Sequence, residues 1–387
     1  MKGYIRLRGK NRWQVVLDGG KAVDGKRKQL YKTVIGPKRL AHATLAQMHR
    51  DLQTGDFVEP NRLKTGEFLE KWLEDMRSRV SPKTWERYGL AVRRHITPYL
   101  GQRLLKKLEP LDLTALYTHL LERGRFKGGA LSARSVRHTH VILRGALRQA
   151  VKWRLLTRDP SDAVSPPRPK RPEIRALTDT EMAALLEQAK GTRLHLPVLL
   201  AMSTGLRRSE IFGLRWCDVD FEASQLAVRQ TLQEVRKRLY FREPKSSKSR
   251  RTVALSAFVL EALKRHRAGQ AAERLSLGAG YRDLDLVLAQ WDGSPWKPES
   301  ISTLFRAVVR RAGLGHVRFH DLRHSHATQL LRLGVPAKVV SERLGHATIG
   351  ITLDTYTHVL PGMQEDAAKK VDLALRAAIA ATADDTA

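Results

Sequence analysis

Between Asp159 and Arg175 the chain carries Pro160, Pro166, Pro167, Pro169 and Pro172, with Arg168, Lys170 and Arg171 among them. Proline fixes φ and has no amide hydrogen, so neither a helix interior nor a central strand survives that density. Residues 159–176 are therefore expected to form a semi-rigid basic linker. The segments on either side must fold as separate bodies, and 387 residues leave room for two or three of them.

The first sixty residues read as a small module of their own. Tyr4 to Leu7, Trp13 to Leu17 and Gln29 to Val34 are short, partly alternating runs separated by Gly and charged turns, a pattern that predicts a three-stranded meander. Pro37 then suits a helix start, and Ala41, Leu45, Met48 and Leu52 recur at helical spacing. Residues 65–158 are helical in pattern throughout. Phe68, Leu69, Trp72, Leu73 and Met76 form one stripe, Trp85, Tyr88, Val92 and Ile96 a second, and Val136, Leu143, Leu147 and Val151 a third. With a shorter helix near Leu111 to Leu121, this predicts an all-α unit of four helices. A third body, 177–387, opens on a capping box, Thr178 with Glu181. It is expected to be mainly helical, with a small antiparallel sheet built from strands near Leu226 to Arg229, Leu239 to Arg242 and the end of Glu243 to Leu255. The fold class is thus multidomain: sheet plus helix, four-helix unit, and a mainly α domain with a small sheet.

Charge narrows the partner. Lys and Arg number 70 against 39 acidic residues, a net of +31 spread over the whole length, which fits a protein that wraps a polyanion through several surfaces. Nucleic acid is the first candidate and an anionic membrane the second. The longest apolar run, Leu194 to Met202, is about half a membrane span and contains His195 and Pro197. The single cysteine, Cys217, excludes an internal disulfide and a cysteine-built metal site. The opening M-K-G-Y-I-R-L-R-G-K lacks the apolar core of a secretory signal, so a reducing, cytoplasmic setting is the expectation. Arg6, Arg8, Lys10, Arg12, Lys28 and Lys32 on the predicted strands offer a basic sheet face, and Arg87, Arg93, Arg94, Arg134, Arg137, Arg144 and Arg148 a basic helical one. Either can lie on duplex DNA or be simply solvated.

Chemistry concentrates between Val317 and His358, which read H-D-L-R-H-S-H, then L-G-H-A, then T-L-D-T-Y-T-H. A helix over Phe319 to Leu331 puts His320 and Arg323 one turn apart on one face. Arg offers a planar fork of donors and no acceptor, so their common target should be an anion such as a phosphate. Tyr356 is a candidate nucleophile toward it, and His324 a further reactive group. His320 and His324 also have the i, i+4 spacing of a helical metal pair, but Asp321 stands where the zinc-hydrolase pattern needs Glu. A lone Tyr is ordinarily core and a lone L-G-H ordinarily a helix end capped by Gly.

Upstream lie T-G-L-R-R-S-E with Arg207 and the lysine-bearing loop E-P-K-S-S-K-S-R-R. Taken in order with H-D-L-R, L-G-H and Tyr356 ten residues on, these motifs resemble the tyrosine recombinase family, the phage-type integrases. The likeness spans essentially the whole chain. The helical unit is similar to the family's core-binding domain, and residues 1–60 to the arm-binding module of integrases of phages and integrative elements.

The resemblance implies a site-specific recombinase that cleaves and rejoins DNA through a 3′-phosphotyrosyl link, without ATP or metal. Arg207 and Arg323 would hold the non-bridging phosphate oxygens, His346 would hydrogen-bond the phosphate, and Tyr356 would attack. His320 is the candidate base. The general acid for the departing 5′-hydroxyl would be Lys245, with Lys248 as its competitor, while Glu210 would orient Arg207. The implied partners are double-stranded DNA at core and arm sites, three further copies of the chain in a homotetramer, a host DNA-bending protein and a small directionality factor. The tail after Pro361, with Val371, Leu375 and Ile379, would dock on a neighbouring subunit or pack in cis. Two alternatives stay open, a type IB topoisomerase that reseals the same strand and a DNA-binding protein that has lost catalysis.

Overall fold

The computed structural model describes residues 3–21, 27–54, 62–125, 128–170, 175–244, 249–356 and 363–384. The chain divides into two compact units, Met1–Arg171 and Pro172–Ala387.

The first unit begins with β1 (Gly3–Gly9), β2 (Arg12–Lys21) and β3 (Arg27–Ile35), an antiparallel sheet in chain order, followed by α1 (Lys38–Thr54). Alternation along the strands sends Val15, Leu17, Leu30 and Val34 to one side, where they pack on Ala41 and Met48 of α1. Arg6, Arg8 and Arg12 lie on the outer face with Tyr4 and Tyr31, all exposed. Lys32, which pairs with Val15, falls on the other side of the pleat from Arg6, so the expected basic face is narrower than the sequence suggested.

The helical part comprises α2 (Thr65–Met76), α3 (Pro82–Ala91), α4 (Thr97–Leu100), α5 (Pro110–Arg123) and α6 (Ala133–Lys152). Ser81 caps α3 by accepting from the Thr84 amide at 3.3 Å, with Pro82 at the first helical position. A π-turn over Val92–Ile96 joins α3 to α4, so the second expected helix is longer than its stripe and bulged. Phe68, Leu69, Val92, Ile96, Leu113, Leu143 and Leu147 form the shared core. The start of the proline-rich stretch belongs to this unit. Pro160–Ala163 make a 3-10 turn in which Asp159 accepts from the Ser161 amide at 2.8 Å, and Pro160 and Ser161 are buried.

The second unit opens with α7 (Asp179–Ala189), whose capping box closes through Thr178 and Glu181 as expected. α8 (His195–Thr204) is buried on nearly every side, from Leu196 through Met202. After α9 (Arg208–Ile211) come β4 (Val219–Asp220), β5 (Gln225–Val228), β6 (Thr231–Val235), β7 (Arg238–Arg242) and β8 (Arg251–Ala254). Where one small sheet was expected, the described residues form two, an antiparallel β4-β5-β8 sheet and a β6-β7 hairpin. Arg236 and Lys237 at φ +50° and +64° are the two left-handed residues of a tight turn that joins β6 to β7.

The rest is helical: α10 (Ala257–Leu277), α11 (Pro298–Arg311), α12 (Asp321–Arg332), α13 (Ala337–Leu344), α14 (Ile349–Tyr356) and α15 (Met363–Asp384). The main core collects Leu185, Val198, Leu200, Phe212, Val253, Phe305, Phe319 and Leu322. A smaller core holds Ala327, Val340, Leu344 and Tyr356, which ties α12, α13 and α14 together. Val371, Leu375 and Ile379 on α15 are exposed. No described helix is long and apolar enough to cross a membrane.

α8 ends at Gly205 with φ +66°, and a Cβ there would lie 2.6 Å from both His326 Cδ2 and Leu344 Cδ2. Only glycine fits this left-handed cap without strain. Gly205→Ala should therefore lower stability by about 2 kcal/mol or more, read as a fall in the urea midpoint. An unchanged midpoint would mean that α8 and α12 separate more easily than their contacts indicate.

Candidate active site

The site is assembled from the ends of α8, α9, α12, α13 and α14 and from strand β8. α13 stops at Gly345, φ +67°, a left-handed cap that leaves the last carbonyls of the helix without intrahelical partners. Three consecutive carbonyls there each accept from one arginine. Arg251 Nε donates to the Arg343 oxygen at 2.6 Å, Arg323 Nη2 to the Leu344 oxygen at 2.7 Å, and Arg207 Nη2 to the Gly345 oxygen at 3.2 Å. The negative end of a helix dipole favours cations at that place. L-G-H is thus more than a cap, since it fixes three guanidinium groups.

Each arginine has a second tether. Arg323, 2% exposed, donates through Nη1 to the Gly205 oxygen at 2.8 Å. Arg207, extended at the N-terminus of α9, donates to Glu210 Oε1 at 2.7 Å, while its own amide donates to Oε2 at 2.8 Å. Arg251 reaches the same carboxylate at 2.9 Å. Glu210 is 3% exposed. Burial opposes its ionisation, but the hydrogen bond and charge of Arg251, with Arg207, outweigh that and keep its pKa below the usual carboxylate range. For Arg323, burial together with the charges of Arg207 and Arg251 pushes its pKa down to about 9, with Glu210 as the partial offset. It remains a cation at neutral pH.

Arg207, Ser249, His320, Arg323, His324, His346 and Tyr356 line one cleft of about 370 Å³. His320 is the residue before α12 and keeps an exposed edge, yet burial of its ring and the neighbouring His324 and Arg323 push its pKa to about 4. His346 Nδ1 lies 2.8 Å from Thr352 Oγ1, and burial beside Arg323 and Arg207 brings it to about 4 as well. Both imidazoles are neutral at pH 7. Tyr356 is 1% exposed, its ring inside the smaller core, and burial pushes the phenol up to about 12 against the pull of Arg323. Its hydroxyl lies 2.8 Å from His324 Nδ1. Among the described residues no hydrogen bond joins Tyr356 to His320, the expected base. Lys245 and Lys248 lie outside the described residues, and Ser249, just after them, lines the cleft.

The structure therefore brings Arg207, His320, Arg323, His346 and Tyr356 to one place, and Glu210 holds Arg207 as the sequence implied. Arg251 was missed. It shares an inward strand face with buried Val253, and an inward arginine demands an anion, which is the signal that could have found it. A cleft with two tethered cations, neutral imidazoles and a buried phenol suits an anionic ester attacked at its central atom: the cations hold its oxygens and the phenol supplies an attacking oxygen. Among the described residues no cluster of three or more His, Cys, Asp or Glu is arranged for a metal ion.

Comparison with known proteins identifies the family and the fold. The model of the phage integrase family matches residues 175–363, and that of the phage integrase N-terminal SAM-like domain matches residues 65–121. A tyrosine recombinase XerC-like protein of Caldanaerobacter subterraneus is 29% identical over 95% of this chain and 97% of its own length. An integrase of Streptomyces ambofaciens is 28% identical over 90% of this chain and 89% of its own length. Among solved structures, the Tn1549 transposon integrase in complex with circular-intermediate DNA superposes with a TM-score of 0.66 at 19% identity, covering 80% of this chain and 99% of that one. A lambda integrase tetramer bound to a Holliday junction gives 0.58 at 18% identity, covering 91% of this chain and 94% of that one, so the fold is shared.

His326 supplies a test of the buried electrostatics. It accepts from Arg343 Nε at 3.2 Å, and burial with the Arg343 charge brings its pKa to about 4. Its folded pKa lies below the unfolded value near 6.5, so its neutral form stabilises the fold fully above pH 6.5 and stability is lost as pH falls toward 4. Between pH 7 and 5, His326 alone should account for a loss of about 2 kcal/mol. Urea midpoints at the two pH values, for the parent and His326→Gln, should show a smaller drop in the variant; equal drops would contradict this charge balance.

With its reactive groups in one cleft and the family's models matching on either side of the proline-rich stretch, the chain belongs to the phage integrase family and is a tyrosine site-specific recombinase.

Proposed function

We propose that the chain integrates or excises a mobile element by cutting and rejoining DNA through a 3′-phosphotyrosyl intermediate. The observation that carries this reading is the placement of Tyr356 in the same cleft as Arg207 and Arg323, each arginine tethered to helix-end carbonyls. Attack at phosphorus builds charge on the non-bridging oxygens, and donors already fixed there favour the transition state over the ground state. His320 and His346 add contacts to the phosphate. Lys245, or Lys248 in its place, gives a proton to the departing 5′-oxygen, which is a poor leaving group as an alkoxide. The phosphotyrosyl ester keeps the energy of the broken bond, so a 5′-hydroxyl from another strand reverses the step.

The same reading assigns residues 1–60 to arm-type DNA, 65–158 to the core site, 159–176 to the linker, whose first turn packs on the helical part, and 177–387 to catalysis. The outward Arg6, Arg8 and Arg12 support the first assignment, and the net charge of +31 supports contact with DNA on several surfaces. A mobile element as substrate is supported by relatives named as integrases and by the fold shared with a transposon integrase. Exchange between two duplexes requires four tyrosines, hence a homotetramer on DNA. The exposed Val371, Leu375 and Ile379 of α15 offer an apolar strip for a neighbouring copy. A host DNA-bending protein and a directionality factor complete the proposed assembly, which acts on DNA in the cytoplasm.

The test is a nicked suicide duplex carrying the attachment sequence that adjoins the coding gene, incubated with excess chelator and run on a denaturing gel. The parent should give a covalent band that the chelator leaves intact, and Tyr356→Phe should give none. Arg323→Lys should form it about 10²–10³-fold more slowly, since a point charge replaces a fork. Transfer of the trapped strand to a second duplex separates a recombinase from a topoisomerase. DNA binding by the parent with no covalent band would sink the reading.

A further inference from the structure

Resting on that phosphotyrosyl reading, we propose that His324 is the catalytic residue that takes the proton of Tyr356. Its Nδ1 is 2.8 Å from the phenol oxygen, both groups border the cleft, and the two rings meet at 5.7 Å between centroids. A general base must be within hydrogen-bond reach of the proton it removes, and His324 meets that condition in the DNA-free protein.

The surroundings fit the role. Burial holds the imidazole neutral at pH 7, which leaves a ring nitrogen free to accept. Asp321, three residues before it on α12, opposes that shift and would steady the imidazolium once formed. Arg318 hydrogen-bonds Asp321 and keeps it ionised, though burial opposes this. Arg323 and Arg318 act in the other direction on His324, and His320 and His346 are the remaining titratable neighbours. The balance of the step is closed. The phenolic O–H bond breaks and its proton passes to Nδ1 as the oxygen bonds to phosphorus; the bond from phosphorus to the 5′-oxygen breaks, and that oxygen takes its proton from the lysine side. On resealing, His324 returns the proton to Tyr356.

His320 stands on the same cleft with its ring 4.9 Å from that of His324, measured between centroids, and among the described residues no hydrogen bond joins it to the phenol. It remains a phosphate contact in this scheme.

The experiment compares the parent with His324→Asn in single-turnover cleavage of the suicide duplex and of the same duplex with a 5′-bridging phosphorothiolate. Asn keeps an acceptor close to the position of Nδ1 but does not take up a proton. It should bind the duplex as the parent does and form the covalent product about 10²–10⁴-fold more slowly. The thiolate leaves without a proton, so a base variant should stay slow on the sulfur duplex. A rate within threefold of the parent, which a merely orienting hydrogen bond predicts, overturns the proposal. So does recovery on the sulfur duplex, which would move His324 to the leaving-group side. A parent that gives no covalent band overturns the phosphotyrosyl reading and this assignment with it.

A second measurement does not depend on how the Asn variant folds. In histidine-labelled, DNA-free protein, Tyr356→Phe should shift the His324 ring nitrogen resonances, and unmoved resonances count against the assignment.

Discussion

Three carbonyls at one helix end hold the reactive centre in place. Residues 343, 344 and 345 close α13, and each of their oxygens accepts from a different arginine, Arg251, Arg323 and Arg207 in turn. Packing three cations together in a buried place is unfavourable, and burial first, then the charges of Arg207 and Arg251, depress the pKa of Arg323. Helix-end carbonyls offset part of it through dipoles that need no proton, and the buried Glu210 carboxylate offsets more, through two of the three cations. Leaving such a cation without its anion costs on the order of 3–5 kcal/mol, a large share of the roughly 5–15 kcal/mol that holds a typical domain folded. The excess of positive charge that remains suits an anion, which in the proposed reaction is the scissile phosphate.

The same helix end governs the proposed nucleophile, Tyr356. Leu344, whose oxygen holds Arg323, sends its side chain into the small core where the ring of Tyr356 lies. Two left-handed glycines make this compactness attainable. Gly205 brings α8 against His326 and Leu344, and Gly345 turns the chain from α13 toward His346. Burial then makes the phenol reluctant to ionise, with a pKa near 12, so the proposed attack requires both an acceptor for its proton and a charged environment for its oxygen. In the proposed reaction His324, 2.8 Å from the hydroxyl, would serve as the first and Arg323, whose charge favours the ionised phenol, as the second.

Much of this was legible in the chain itself. Helical stripes gave α2, α3, α5 and α6 because apolar spacing is a local property, and Thr178 with Glu181 marked α7 for the same reason. Arg207, His320, Arg323, His346 and Tyr356 stood out because each lies in a short motif with its own chemistry. Arg251 did not stand out, because its role depends on Glu210, forty-one residues away in sequence and visible only after folding. The π-turn after α3 and the tight β6-β7 turn were also hidden, since both are set by backbone conformation more than by side-chain pattern. Proline density overstated the linker at its start, where Asp159 caps a turn that packs on the helices.

The most direct test of the account is chemical identification of the covalent linkage. Protein trapped on cleaved DNA would be digested with nuclease and protease, and the adducted peptide sequenced by mass spectrometry. The account predicts one adduct, on Tyr356, carrying a nucleotide through its 3′-phosphate, with a free 5′-hydroxyl on the released strand. An adduct on another residue, or attachment through a 5′-phosphate, would contradict it.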